Sequence, residues 1–134
     1  FSSLINYANE YESGATRYDM GERANFILLP GVTRALEQIL EWGVKNIERT
    51  LQENNNNLSK KIEQIGLNTI PSEKRGPHFL SVKLPPGISK DFIHKLEMKR
   101  IYLSERAGSL RITPHLWNSK EDFDYFITEI SANL

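Results

Sequence analysis

The spacing of apolar residues changes midway along this chain, and the change limits what it can fold into. From Val32 through Leu36, Ile39, Leu40, Val44, Ile47, Leu51, Leu58, Ile62 and Ile65, apolar side chains recur mostly three or four positions apart, the spacing of one helical face. Past Gly66 the spacing falls to two. In "PHFLSVKLPPG", Leu80, Val82 and Leu84 alternate with Phe79, Ser81 and Lys83, which predicts a half-buried strand closed by a Pro-Pro-Gly turn. A long helical stretch followed by short strands fits neither an all-helical bundle nor an all-β sandwich.

The helical stretch reads as one long amphipathic helix, or two broken near Gly43. Pro30 suits the first turn because it lacks an N–H, and Gly66 suits the stop because it tolerates a left-handed cap. The "NNNN" run at 54–57 lowers helix propensity and reads as a solvated face, with a local break as the lesser alternative. After the first strand, Ser89 is placed to cap a helix whose Phe92, Ile93 and Leu96 form a stripe. "IYLSER" and "SLRIT" then flank Ala107-Gly108, which predicts a hairpin. A last helix starts near Ser119, with Asp122 completing a capping box and Phe123, Phe126, Ile127 and Ile130 as its apolar face. The order predicts an α+β fold: a small, mainly antiparallel sheet covered by helices on one face, entered through a long N-terminal connecting helix.

Composition narrows the function. The 134 residues suit one compact domain, and 17 Lys plus Arg balance 17 Asp plus Glu, so no net field draws nucleic acid or an anionic membrane. No cysteine is present, which removes disulfides, thiolate metal ligands and thiol nucleophiles. His78, His94 and His115 have no paired spacing, so no metal site is expected. No apolar run approaches the ~20 residues of a membrane span, and a cytoplasmic protein is expected. Residues 1–29 are largely polar and weakly periodic and begin without Met. They read as a segment that belongs on something else, so the chain is expected to be a fragment.

Among polar residues, Arg111 stands out. It alternates with Leu110 and Ile112, so it faces away from the core as an ordinary exposed sheet arginine or as a fixed fork for a carboxylate or phosphate. His115 and Asn118 lie in the connection to the last helix, where Asn118 or Ser119 is the simplest N-cap. Gly21, Arg23 and Asn25 precede the long helix, where backbone N–H groups can meet a phosphate or merely form a linker.

"LRITPHLWNSKEDFDYF" resembles the C-terminal motif of the class V aminotransferase-like, pyridoxal-phosphate-dependent enzymes of fold type I. This group includes cysteine desulfurases, kynureninases and isopenicillin N epimerase-like proteins. Arg111, Thr113, Trp117, Asn118, Ser119, Glu121 and Asp122 fall at the motif's places. "GATRYDMGERANFILLPGVTRALEQI" is similar to the segment that leaves the family's large domain and starts the helix into the small one, and "RGPHFLSVKLP" to the first small-domain strand.

The resemblance implies that residues 1–29 are a linker segment from a missing large domain and 30–134 a C-terminal, substrate-binding small domain of a homodimeric enzyme acting on an amino acid. Arg111 would bind the substrate carboxylate, with Gly21 and Asn25 near the cofactor phosphate. Glu22, Arg23 and Ala24 depart from the desulfurase Gly-Thr before the Asn, and the missing cysteine speaks against persulfide chemistry. No lysine here sits in a Schiff-base motif, so the resemblance assigns the catalytic lysine and most of the pyridoxal phosphate site to the large domain. The chain alone is then expected to be inactive, with no catalytic residue of its own. The alternative is a non-catalytic module sharing the fold, which binds carboxylates or a partner.

Overall fold

The computed structural model describes residues 10–19, 25–88 and 91–134. Internal contacts divide the chain into two units, Phe1–Glu41 and Trp42–Leu134. In the first, a 3-10 turn spans Gly14–Tyr18 and helix α1 covers Leu29–Trp42, ending at the unit boundary. Pro30 occupies the first turn as expected. The Asn25 side-chain oxygen accepts the Leu28 N–H at 2.9 Å and its carbonyl accepts the Leu29 N–H at 3.0 Å, so Asn25 organises the start of the helix. Every residue of α1 is exposed, including the stripe Val32, Leu36 and Ile39.

Helix α2 covers Val44–Gln64, so the helical stretch is two helices parted at Gly43. Gly43 has φ 79°, a left-handed conformation open to glycine, and its carbonyl accepts the N–H groups of Asn46 and Ile47. The "NNNN" run does not break α2, nor is it wholly a solvated face. Asn55 is fully buried between Leu51 and Leu58, and its Nδ2 donates to the Pro77 carbonyl at 2.5 Å. A run of four helical residues covers a full turn, so one member must face inward, and here it finds a carbonyl there. At the far end the Gly66 N–H reaches the Glu63 carbonyl and the Leu67 N–H the Ile62 carbonyl, a Schellman closure with Gly66 at φ 85°.

The sheet contains β1 (Asn68–Thr69), β2 (Leu80–Lys83), β3 (Ser104–Arg106) and β4 (Ser109–Ile112), ordered β1-β2-β4-β3 and antiparallel throughout. Two further helices, α3 (Phe92–Met98) and α4 (Lys120–Asn133), complete the unit. Leu80, Val82, Leu110 and Ile112 project to one face. There they meet Leu58 and Ile62 of α2, Phe92 and Leu96 of α3, and Phe126 and Ile130 of α4. The α+β class and the one-sided helical cover are as the periodicity predicts.

Two details differ from the sequence reading, and one lies outside what the structure describes. Strand β1 is too short to show a period. The strand expected over "IYLSER" begins only at Ser104, because the Ile101 N–H closes α3 on the Leu96 carbonyl behind Arg100 at φ 61°. The expected cap Ser89 lies outside the described residues. The hairpin forms on Ala107 and Gly108, both with positive φ as a type I′ turn requires. At α4, Ser119 Oγ accepts the Asp122 N–H and Asp122 accepts the Ser119 N–H, the reciprocal capping box.

Lys61 of α2 and Lys120 of α4 both hydrogen-bond Asp124 of α4, and the Lys61 bond ties the two helices. Lys120, then Lys61, holds the Asp124 carboxyl below its ordinary value. A depressed folded-state pKa gives stability that is present above the unfolded carboxylate range and is lost as pH falls through the folded value. Melting temperature is therefore expected to fall as pH drops through and below the ordinary carboxylate range, and Asp124→Asn to flatten that limb. An unchanged acid limb in Asp124→Asn contradicts the assignment.

Candidate functional site

The sheet face opposite the core is polar and cationic. Arg111 sits on β4, an inner strand, directly between Ser81 of β2 and Ser104 of β3. One step along, Ser109 lies between Lys83 and Arg106. Side chains of directly paired residues share a face, so all six project together, away from Leu110 and Ile112. Small serines flank Arg111 on both sides and leave its guanidinium exposed. The Arg111 Cζ lies 5.4 Å from the centre of the Phe79 ring, within cation–π range.

Charge pairing is uneven over the described surface, and cations elsewhere such as Lys60, Lys74 and Arg100 also form no ion pair with a carboxylate among the described residues. Arg34, Lys45, Lys61, Lys99 and Lys120 each meet a carboxylate within 4 Å or less. Among the described residues, Lys83, Arg106 and Arg111 meet none, and the nearby Glu105 pairs with Leu110 and so belongs to the opposite face. Three cations with serine hydroxyls among them, and no acid on the same face, make an anion-attracting surface. Arg111 offers the planar, two-pronged donor that a carboxylate fits.

The other sequence candidates have different settings. Ser119, not Asn118, caps α4. Asn118 instead accepts the His115 N–H at 2.8 Å and returns its own N–H to the His115 carbonyl, and the His115 ring stacks on Trp117 at 3.9 Å. Trp117 and Asn118 help line a cleft of about 420 Å³ with Tyr102, Thr113 and Phe123, and Arg111 is not among its walls. Asn25 belongs to the other unit from Arg111, and Gly21 lies outside the described residues. No group of His, Asp or Glu able to hold a metal occurs among the described residues, and no described helix is long and apolar enough to cross a membrane.

A pyridoxal phosphate site is not formed by the described residues. The side-chain oxygen of Asn25, the one described residue with an expected cofactor role, is engaged at the start of α1. Sequence reasoning found Arg111 but passed over Phe79, Lys83 and Arg106. The signal for the first two was present, since both alternate on the polar side of β2.

Over 89% of its length the chain superposes on an alanine–glyoxylate aminotransferase from Nostoc sp., with 26% identity and a TM-score of 0.68. It fits a part of a larger aminotransferase. That part is 34% of the Nostoc chain. A NifS-like protein gives a TM-score of 0.69 at 23% identity, with 92% of this chain on 38% of that one. A C-DES mutant with glycine covalently linked to its PLP cofactor gives 0.67 at 17% identity, with 78% on 28%. These two likenesses speak to fold alone. In sequence, an uncharacterized protein of Schizosaccharomyces pombe is 24% identical over 128 residues, which is 93% of this chain and 29% of the relative. No family model matches. The chain thus spans less than two fifths of each of these four proteins.

Proposed function

We propose that the chain is the C-terminal substrate-binding part of a pyridoxal-phosphate-dependent, aminotransferase-like enzyme acting on an amino acid, and that Arg111 binds the substrate carboxylate. The observation that carries this reading is the exposed, carboxylate-free Arg111 guanidinium on an inner strand of a sheet with an aminotransferase fold. The cofactor, supplying the electron sink when bound, belongs to the remainder of a homodimeric protein, with Gly21 and Asn25 approaching its phosphate. Residues 1–29 are the connection to that remainder, and 30–134 the small domain.

In this reading Arg111 works by orientation. A carboxylate gripped by both prongs of a guanidinium cannot swivel, so the bonds at the neighbouring carbon keep one direction. Lys83 and Arg106 raise the local concentration of anions without gripping them.

The test uses the full-length protein with L-alanine and L-alaninamide, which differ in the carboxylate, the probe being taken from the Nostoc neighbour. Titration calorimetry should show the amino acid binding about 10-fold or more tightly than its amide. Equal affinities count against a carboxylate site.

A further inference from the structure

The fully buried Asn55 is a costly choice for α2. Its Nδ2 reaches the Pro77 carbonyl, while its Oδ1 is buried with no partner. A leucine there would continue the stripe of Leu51, Leu58 and Ile62 and bury no amide oxygen, but it would give up the bond to the Pro77 carbonyl. Next to it, Asn56 accepts a bond from Arg75 at 2.8 Å, and Arg75 also donates to the Ile70 carbonyl at 3.1 Å. Burial lowers the Arg75 pKa, with Glu63 partly offsetting the effect, and its Nη1 is likewise buried without a partner. These groups spend desolvation on one result: they tie the connector between β1 and β2 to the middle of α2.

The connector ends at Phe79, two residues past the carbonyl that Asn55 holds. Phe79 is half-buried, and its N–H closes a turn on the Gly76 carbonyl at 3.2 Å. The β2–β4 register carries Phe79 to the position opposite Thr113, diagonal to Arg111, where its ring lies beneath the guanidinium. An exposed arginine has several flexible torsions, and a binding fork needs them fixed before the ligand arrives. An aromatic face beneath the cation supplies that fixation without occupying the prongs.

We propose that Phe79 is a positioning residue for Arg111, a shelf that holds the guanidinium ready for a carboxylate, and that Asn55 of the "NNNN" run sets the height of the shelf through Pro77. This rests on the reading of Arg111 as the carboxylate fork. Phe79 touches no ligand; it acts by keeping the fork in one place.

The experiment measures, in the full-length protein, the ratio of L-alanine to L-alaninamide affinity for wild type, Phe79→Leu, Phe79→Trp, Asn55→Leu, the double variant Phe79→Leu/Asn55→Leu, and Arg111→Lys. Phe79→Leu is expected to lower the ratio about two- to fivefold, and Phe79→Trp to keep it, because Trp restores an aromatic face. Asn55→Leu, which keeps the branching and heavy-atom count of Asn but is bulkier and removes the donor to Pro77, is expected to lower the ratio similarly. The double variant should be no worse than Phe79→Leu, the non-additivity of two residues acting through one contact.

A ratio unchanged in Phe79→Leu while Arg111→Lys still lowers it overturns the shelf and leaves the fork standing. A ratio near one in wild type, or one that ignores Arg111→Lys, overturns the fork and the shelf with it. If Asn55→Leu does not fold, the two Phe79 variants decide the shelf, since their position is half-buried. Strictly additive losses overturn the part assigned to Asn55.

Discussion

Arg111→Ala in the full-length protein is expected to weaken carboxylate-dependent binding by about 1.5 to 3 kcal/mol, roughly 10- to 150-fold in Kd, with the melting temperature nearly unchanged. The size follows from losing charge-assisted hydrogen bonds at a rigid site. The unchanged melting follows from the exposure of the side chain, which makes no ion pair among the described residues. Arg111→Lys should recover only part of the loss, because an ammonium restores the charge without the planar fork. Calorimetric titration of each variant with the amino acid and its amide checks this. An Arg111→Ala protein that still prefers the carboxylate shows that the anion sits elsewhere.

The second large effect concerns Phe92, among the largest fully buried side chains and 2% exposed where α3 meets the sheet. Phe92→Ala should cost about 3 to 5 kcal/mol, the lost transfer energy of the ring together with the cavity it leaves. Small domains have only about 5 to 15 kcal/mol in hand, so urea unfolding should shift to a much lower midpoint. A shift worth less than about 1 kcal/mol shows that α3 repacks or docks more loosely than the structure has it.

What could be read from sequence was whatever obeys a local rule. The Ala107-Gly108 turn, the Ser119–Asp122 box, the Gly66 stop and the outward face of Arg111 each depend on residues a few positions apart, so spacing reveals them. Asn55 could not be read that way. Asparagine prefers water, and only the Pro77 carbonyl, 22 residues on, makes its burial tolerable. Strand β1 escaped because two residues cannot display a period. Lys83 and Arg106 are unremarkable on their own strands. They become a group only when antiparallel pairing sets them on either side of Ser109.

The division of the sheet into a covered and an open face also bears on how such a protein changes over time. The apolar residues that hold β2 and β4 in place point toward the helices, whereas Ser81, Ser104 and Ser109 point away. Drift at the exposed Ser104 alters what the open face attracts with little disturbance to folding, since exposed substitutions away from such packing usually change stability by less than about 0.5 kcal/mol. The half-buried Ser81 and Ser109 still point away from the core. Ligand preference on this scaffold is therefore free to diverge faster than the architecture beneath it.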